Sequence, residues 1–224
     1  TIVVVPTVSL ALDQERRIQQ FFSSATYPEY QPYCWIENTS SETRAIIRRG
    51  ILDGTLPILF VSPEALLKST LYDICLEAAE RKTLNRFVID EAHLVETWGA
   101  GFRTDFQILA AYQKRLLERS RGRLRTFLFS ATISRSCSDL LEQLFGTGEN
   151  FYTISANRLR PELAYWFRFS QTKSRREKRV LEALQYLPRP LLLYVASPEE
   201  ATHWSSLLKQ HLYQRYATFT GSTN

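Results

Sequence analysis

The stretch Phe87-Val88-Ile89-Asp90-Glu91-Ala92-His93 decides the fold, because an apolar run ends abruptly in two adjacent carboxylates. Short apolar runs rich in β-branched residues are typical of strands buried in a parallel sheet, and ligands of open α/β sheets bind at the carboxyl ends of such strands. Two acids at that edge suit Mg²⁺, which prefers oxygen ligands and usually accompanies phosphates. The same residues also fit a strand that leads into an acidic helix N-terminus, where Asp and Glu complement the helix dipole.

The rest of the first 156 residues alternates short apolar runs with longer amphipathic segments. The apolar runs predict strands at 2–5, 33–36, 58–61, 84–89, 125–129 and 151–154, and the longer segments predict helices at about 7–22, 39–53, 63–81, 105–119 and 134–145. Thr39, with Glu42 three residues later, matches a capping box at the start of the second helix. Strands that alternate with helices of this length predict an α/β fold with a largely parallel sheet.

Polar clusters follow four of these strands. They are Pro6-Thr7, Ser62-Pro63-Glu64, Asp90-Glu91 and Ser130-Ala131-Thr132. Because crossovers between parallel strands are right-handed, the ends of the strands meet at one edge of the sheet. The sequence therefore predicts that all four clusters converge on one functional surface.

The character of the chain changes at Asn157, where a basic connector, broken by proline, runs to Pro161. Beyond it, the apolar pattern predicts strands at 164–169, 191–195 and 217–219, and helices at 173–186 and 198–211. We therefore expect two domains, residues 1–156 and residues 157–224, the second being the opening of another α/β unit.

The composition is that of an ordinary globular protein, with 44% hydrophobic and 23% charged residues. No apolar run approaches the roughly 18 residues that a membrane span needs. The three cysteines have neither metal-ligand nor disulfide-framework spacing, which favours buried thiols in a reducing compartment. A net charge of +5 permits a polyanionic partner without requiring one.

The motifs at these junctions resemble those of superfamily 2 helicases, and within them the RecQ family, over nearly the whole chain. Val5–Gln14 is similar to the segment after the nucleotide-binding helix, and Leu59–Leu66 to the next DNA-contacting segment. Val88–His93 resembles the Walker B box in its DEAH form, and Ser130–Thr132 the motif that couples hydrolysis to strand movement. Thr97–Phe106 is similar to the aromatic-rich loop of RecQ helicases, although this chain has Ala100-Gly101 where the family usually carries His-Asp.

The resemblance implies catalytic roles around the two acids. Asp90 would hold Mg²⁺ through water, and Glu91 would polarise the water that attacks ATP. His93 would sense the γ-phosphate or pair with the Ser130 region, unless it is only a partly buried packing residue. Ser130 and Thr132 would join the acids to the other domain, and the bland alternative for both is a turn and a helix N-cap.

The resemblance also implies a DNA-binding set. Trp98, Phe102 and Phe106 would lie on a glycine-flexed loop and stack on unpaired bases, unless they form a hydrophobic plug under that loop. Arg103 would contact phosphate or stack, unless it only forms a surface salt bridge. Thr7, Gln14, Ser62 and Glu64 sit where the family touches the DNA backbone. Arg158 and Arg160 are added because of their charge, since the connector that carries them joins two domains where a DNA strand would pass.

One motif of such helicases is missing from the 224 residues. None of the eight glycines is followed by lysine, so there is no G-x-x-x-x-G-K-[ST] phosphate-binding loop, and no late motif with an arginine finger can be matched. The chain also opens directly on a strand. We therefore expect a piece of a longer ATPase that is inactive by itself.

The sequence thus predicts an α/β fold with a RecA-like parallel sheet flanked by helices and the beginning of a second RecA-like domain. The expected function is the core of a RecQ-like helicase that uses ATP and Mg²⁺ to move 3′-to-5′ along single-stranded DNA and unwind duplexes, in the cytoplasm and associated with DNA. Two alternatives stay open. One is a non-catalytic nucleic-acid-binding module, and the other is a helicase-like component of a DNA-modification or phage-defence system.

Overall fold

The computed structural model describes residues 1–24, 30–68, 70–97, 100–146, 150–156 and 161–220, with the backbone alone for residues 97 and 100–106. The chain forms two compact units, Thr1–Ala156 and Asn157–Asn224. None of the helices in the described ranges has the length and apolar character that a membrane crossing needs.

The first unit is built on a five-stranded parallel sheet with the order β2-β3-β1-β4-β5. The strands are β1 (Ile2–Val4), β2 (Tyr33–Trp35), β3 (Leu59–Val61), β4 (Arg86–Ile89) and β5 (Arg125–Leu128). The strand that ends in the two acids is therefore an inner strand between β1 and β5. The predicted parallel α/β sheet is confirmed.

Seven helices of the described chain connect and flank these strands. They are α1 (Val8–Ser24), α2 (Ser41–Asp53), α3 (Pro63–Leu67), α4 (Leu71–Arg81), α5 (Leu94–Thr97), α6 (Ala100–Arg119) and α7 (Arg135–Phe145).

The alternation of side chains along β1 shows that both faces of the sheet are used. Ile2 and Val4 belong to a large core that also contains buried residues of α2, α4, α6 and α7. Val5, the next residue outward, belongs to a smaller core with Ala11 of α1 and Phe60 of β3. Because successive strand residues point to opposite faces, the sheet is sandwiched between the four helices on one side and α1 on the other.

Three local predictions in the first unit are wrong. The single helix expected at 63–81 is two helices, since the first ends where Lys68 N donates to Glu64 O and a turn precedes α4. The N-cap of α2 is Ser40, whose side chain accepts from Thr43 N, whereas the Thr39 hydroxyl accepts from Ile36 N instead. Residues 151–154 form no strand, because no neighbouring strand receives their backbone groups.

The start of the long helix also differs from the expectation. A helix was predicted from about residue 105, after a flexible aromatic-rich loop, but α6 already begins at Ala100. Neither Gly101 nor the residues after it break the helix, because a single glycine costs a helix only about 1 kcal/mol. The glycine-flexed loop predicted for Phe102 and Arg103 is therefore wrong for their backbone.

The second unit contains α8 (Lys173–Tyr186) and α9 (Pro198–Gln210), each opened by a side-chain N-cap, Thr172 and Ser197 respectively. The two helices are joined by a hydrogen-bonded ion pair between Arg176 and Glu200 at 2.9 Å. Both helices were predicted at nearly these bounds.

The strands predicted in the second unit are absent from residues 161–220. The apolar runs at 164–169, 191–195 and 217–219 pair with no neighbour in the described part, and their large side chains are mostly exposed, as at Phe167 (84%) and Tyr194 (86%). An apolar run becomes a strand only when another strand receives its N–H and C=O groups, so composition alone overpredicted the sheet here.

Candidate active site

The carboxyl ends of the strands lie level with one another. Val4 of β1 pairs in register with Val61 of β3 and with Ile89 of β4, and Ile89 pairs with Leu128 of β5. Since each of these residues is the last of its strand, the residues that follow leave the sheet at a common edge. The four polar junctions there are Pro6-Thr7, Ser62–Glu64, Asp90-Glu91 and Ser130–Thr132.

His93 joins the segment of the two acids to the segment after β5. Its Nδ1 lies 2.9 Å from Ser130 Oγ and 3.2 Å from Glu91 Oε2. The side chains of His93 and Glu91 are 28% and 38% exposed, so solvent reaches both. The imidazole therefore bridges a carboxylate at the end of β4 and a hydroxyl at the end of β5.

The other hydrogen bonds of Ser130 locate the proton of the imidazole. Ser130 Oγ donates its only proton to the carbonyl oxygen of Thr132 at 2.8 Å and accepts from the Thr132 backbone N–H at 3.2 Å. His93 Nδ1 must therefore be the donor to Ser130 Oγ, and the carboxylate of Glu91 accepts from the same N–H. In the neutral ring, Nε2 carries no proton and can accept one.

Glu91 holds an uncommon backbone conformation, with φ of 52°. A side chain other than glycine in this left-handed region costs about 1–2 kcal/mol. Its N–H donates to Oδ1 of Asp90 at 3.0 Å, and the N–H of Asp90 is bonded to Val4 O at 2.9 Å. These contacts hold the strained turn, and strain of this kind concentrates at functional sites.

The structure answers the simpler alternative for the Ser-Ala-Thr cluster. The N-cap of α7 is Ser134, whose side chain accepts from Cys137 N at 3.0 Å, so neither Ser130 nor Thr132 caps this helix. The turn in that alternative is present, because Ser130 closes a tight turn on the backbone of Thr132. In this turn the Ser130 hydroxyl also contacts His93 Nδ1.

The two acids carry the oxygen ligands that Mg²⁺ prefers. Among the described residues there is no group of three or more His, Cys, Asp or Glu side chains that forms a metal cage. Mg²⁺ is commonly bound by one or two carboxylates, with water and substrate phosphates in the remaining positions. Asp90 and Glu91, both partly exposed, fit that kind of site. The usual means of binding a triphosphate is missing, because the Gly-Lys pair of a phosphate-binding loop does not occur in the 224 residues.

Four residues of the predicted DNA-binding set are described, and three of them, Thr7, Ser62 and Glu64, follow strand ends at this edge. Thr7 precedes α1, is exposed, and its Oγ1 accepts from Leu10 N at 3.2 Å. Ser62 caps α3 through Ala65 N and is only 8% exposed, so its hydroxyl already has a structural role. Glu64, in the first turn of α3, is exposed, and Gln14 on α1 is half-buried.

The rest of that set lies outside what the structure describes. These positions are Trp98, Arg158 and Arg160, together with the side chains of Phe102 and Arg103.

Sequence reasoning missed one residue close to this site. Glu96 of α5 accepts hydrogen bonds from Ser134 Oγ at 2.8 Å and from Ser136 Oγ at 2.6 Å. These hydrogen bonds lower the pKa of Glu96, with Ser136 having the larger effect and Ser134 the smaller. Only the serine-rich start of α7 hinted at an anion there, and nothing local pointed to a partner about 40 residues upstream.

Comparison with known proteins finds helicases, both among protein families and among individual relatives. Residues 1–140 match the family model described as DEAD/DEAH box helicase. The chain is 33% identical over 161 residues to the RecQ-like DNA helicase BLM of Xenopus laevis, covering 70% of this chain and 11% of that protein. It is 25% identical over 222 residues to the ATP-dependent DNA helicase RecQ of Synechocystis sp., covering 99% of this chain and 44% of that protein.

A third relative is the ATP-dependent DNA helicase Q1 of Pongo abelii, which is 27% identical over 74% of this chain and 24% of its own length. The chain thus spans less than half the length of these relatives. Among solved structures, the DUF1998 helicase MrfA has a similar fold, with a TM-score of 0.62, 20% identity, and coverage of 94% of this chain and 32% of that chain. This likeness identifies the parallel sheet with its flanking helices as a RecA-like fold.

Proposed function

The chain belongs to the DEAD/DEAH box helicase family, with RecQ helicases among its relatives, and we propose that it is the core of an ATP-dependent DNA helicase. In this proposal ATP hydrolysis drives 3′-to-5′ movement along single-stranded DNA and the unwinding of duplexes. Residues 1–156 form the first RecA-like domain of the enzyme, and residues 157–224 begin the second.

The observation that carries the proposal is the bridge from Glu91 through His93 to Ser130. A carboxylate on one strand end, an imidazole and a hydroxyl on the next strand end are in contact at 3.2 and 2.9 Å. A change at the acid site can thereby reach the segment after β5. Such a connection serves an enzyme that must turn hydrolysis into movement, whereas a simple binding surface does not need it.

The acids have separate roles in this proposal. Asp90 would hold Mg²⁺ through water, and Mg²⁺ would neutralise phosphate charge when bound. Glu91 would orient and polarise the water that is consumed in hydrolysis, because phosphoryl transfer depends on positioning and charge more than on covalent chemistry. Glu91 is suited to this by its exposure and by the contact of Oε2 with the His93 N–H, which fixes the direction of the carboxylate.

The phosphate cradle must come from elsewhere. No Gly-Lys pair is present in the 224 residues, so the proposed activity belongs to a longer protein that carries this chain. The family relatives, of which the chain covers 44% or less, are long enough to contain one.

Single-stranded DNA is the proposed partner, and it would run along the edge that carries Thr7, Gln14, Ser62 and Glu64. The N-terminus of α1, after β1, offers backbone N–H groups to phosphates. Glu64 repels phosphate, so we assign it to base or sugar groups that donate hydrogen bonds. Trp98, Phe102, Arg103, Arg158 and Arg160 remain proposed contacts.

The experiment is a helicase assay on the full-length protein with three substrates of equal duplex length. One duplex has a 3′ single-stranded tail, one has a 5′ tail and one is blunt. We expect ATP-dependent unwinding of the 3′-tailed duplex and ATP hydrolysis that single-stranded DNA stimulates. Unwinding of the 5′-tailed duplex alone would contradict the proposed polarity.

A second candidate is a non-catalytic nucleic-acid-binding module, and the missing Gly-Lys pair is the observation that favours it. The same assay separates the two candidates. A module would bind the single-stranded tail, with an affinity that falls steeply as salt rises, and would hydrolyse no ATP.

A further inference from the structure

An exposed carboxylate on α5 is held by two hydroxyls at the start of α7. Glu96 Oε2 accepts from Ser134 Oγ at 2.8 Å, Glu96 Oε1 accepts from Ser136 Oγ at 2.6 Å, and the two hydroxyl oxygens are 2.9 Å apart. Both oxygens of the carboxylate therefore have a partner. We call Glu96, Ser134 and Ser136 the carboxylate clamp.

The clamp also has a favourable electrostatic setting. It sits at the N-terminus of an 11-residue helix, whose positive dipole end attracts a carboxylate. Ser134 is the N-cap, so the same hydroxyl accepts from Cys137 N and donates to Glu96. A carboxylate that receives two hydrogen bonds from hydroxyls is strongly fixed in direction even on the surface.

The clamp is the second of two links between the same pair of segments. Near the sheet, Ala92 N donates to Phe129 O at 2.9 Å and His93 contacts Ser130. Farther out, Glu96 lies one helical turn after His93 and contacts the residue four positions after Ser130. Two segments that are joined at one point can pivot, but two segments joined at both ends move as one body.

We propose that Glu96 is a positioning residue that keeps His93 in contact with Ser130 while the segment after β5 moves. It touches neither of the two acids, and it acts through α5. With the clamp closed, a displacement of the Ser130 turn carries α5 along, and α6 directly follows α5 in the chain. This inference rests on the proposed function, because it concerns the coupling of ATP hydrolysis to DNA.

A purely local role is the alternative. In that case Glu96 only stabilises the first turn of α7, and its loss would loosen that helix without affecting His93. The two roles differ in where the backbone loosens and in which part of the activity is lost.

The first test is hydrogen exchange of backbone amides in the chain, comparing the wild type with Glu96→Ala and with Ser136→Ala. Ser136→Ala removes one clamp bond and leaves the N-cap in place. We expect faster exchange both at residues 92–96 and at residues 130–134 in the two variants. Faster exchange confined to residues 135–138 would overturn the proposal in favour of the local role.

The second test measures ATP hydrolysis by the full-length protein, with and without saturating single-stranded DNA. In Glu96→Ala, the rate of hydrolysis without DNA should stay within about twofold of the wild-type rate. The increase in rate that single-stranded DNA causes should be at least about fivefold smaller, a change within the range of typical coupling free energies. Glu96→Gln, which retains one acceptor oxygen, should recover part of the increment. Glu142→Ala is the control, because it removes an exposed carboxylate from α7, the helix whose start the clamp holds, at a position outside the clamp.

The results also separate the failure of this inference from the failure of the proposed function. A wild-type protein that hydrolyses no ATP would contradict the proposed function, while the exchange experiment would still decide whether the clamp ties the two segments together. An unchanged increment in both Glu96→Ala and Ser136→Ala would overturn the positioning role. So would an equal loss of the basal and the stimulated rates.

Discussion

His93 Nδ1 lies 2.9 Å from Ser130 Oγ, a contact between residues 37 positions apart in the chain. It links the ends of β4 and β5, two neighbouring parallel strands in register. The Ser130 proton is committed to Thr132 O, so His93 is the donor and the contact has one defined polarity. The acid site and the turn after β5 are thereby joined by an interaction that one substitution can remove.

A double-mutant cycle measures this contact. His93→Ala, Ser130→Ala and the double variant of the chain are unfolded with urea, and the free energies of unfolding are compared. We expect a coupling free energy of about 0.5–1.5 kcal/mol, the usual net value of a hydrogen bond. Strictly additive single variants would mean that the two side chains do not interact in solution.

The left-handed backbone at Glu91 gives a second prediction. Glu91→Gly should be more stable than Glu91→Ala by about 1 kcal/mol, because glycine adopts φ of 52° without steric cost although it loses more entropy on folding. Lys114, exposed on α6, is the control position. There the order should reverse, since alanine is the better residue inside a helix by about 1 kcal/mol. Thermal or urea unfolding of the four variants checks both signs.

The clamp predicts a pH dependence. The pKa of Glu96 lies below its ordinary value of 4.5 because Ser136 and Ser134 hydrogen-bond to the carboxylate. A carboxyl whose pKa is lowered by folding stabilises the native state fully above its unfolded pKa, and that contribution is lost as the pH falls through the lowered value. The clamp should therefore be fully closed at neutral pH and open only in acid.

Carbon NMR of the Glu96 carboxyl group measures this titration directly. In Ser136→Ala the pKa should move up toward the ordinary value, because the stronger of the two hydrogen bonds is gone. An identical titration in both proteins would show that the Ser136 contact is not formed in solution.

The three thiols give a prediction about reactivity. Cys34, Cys75 and Cys137 are free and buried, as their wide spacing in the sequence predicted. Burial raises the pKa of Cys75 to about 12 and raises those of the other two as well, so very little reactive thiolate forms at neutral pH. We expect slow modification by a disulfide reagent in the native chain and rapid modification of all three in concentrated guanidinium chloride. Rapid modification of the native chain would contradict the packing around them.

The fold of the first unit was readable because its signals are local. The runs ending at Val4, Val61 and Ile89 are mostly apolar and β-branched or aromatic, and a polar turn follows each of them, whereas the edge strand β5 is half polar. Parallel strands buried on both faces leave this pattern in any single sequence. The junctions could therefore be assigned to one edge before any contact was known.

The features that the sequence did not predict depend on partners that are distant along the chain. Ser134 and Ser136 are 38 and 40 residues from Glu96, and no period in the sequence connects them. The same reason explains the overpredicted strands beyond residue 161, since the run around Tyr194 has the composition of a strand but no neighbour in the described chain. The prediction of the α2 N-cap failed for a different reason. Thr39 and Ser40 are both good N-cap residues, and in the structure Ser40 caps the helix while the Thr39 hydroxyl accepts from Ile36 N.

We propose that Glu91 activates the water for ATP hydrolysis in a DNA-dependent helicase. The most direct test is the rate of ATP hydrolysis by the full-length protein with saturating single-stranded DNA, for the wild type and for Glu91→Gln, which keeps the shape of the side chain and removes its charge. We predict a loss of at least about 100-fold, the usual contribution of a positioned general base, with single-stranded DNA binding retained. Equal rates of hydrolysis in the two proteins would contradict the claim.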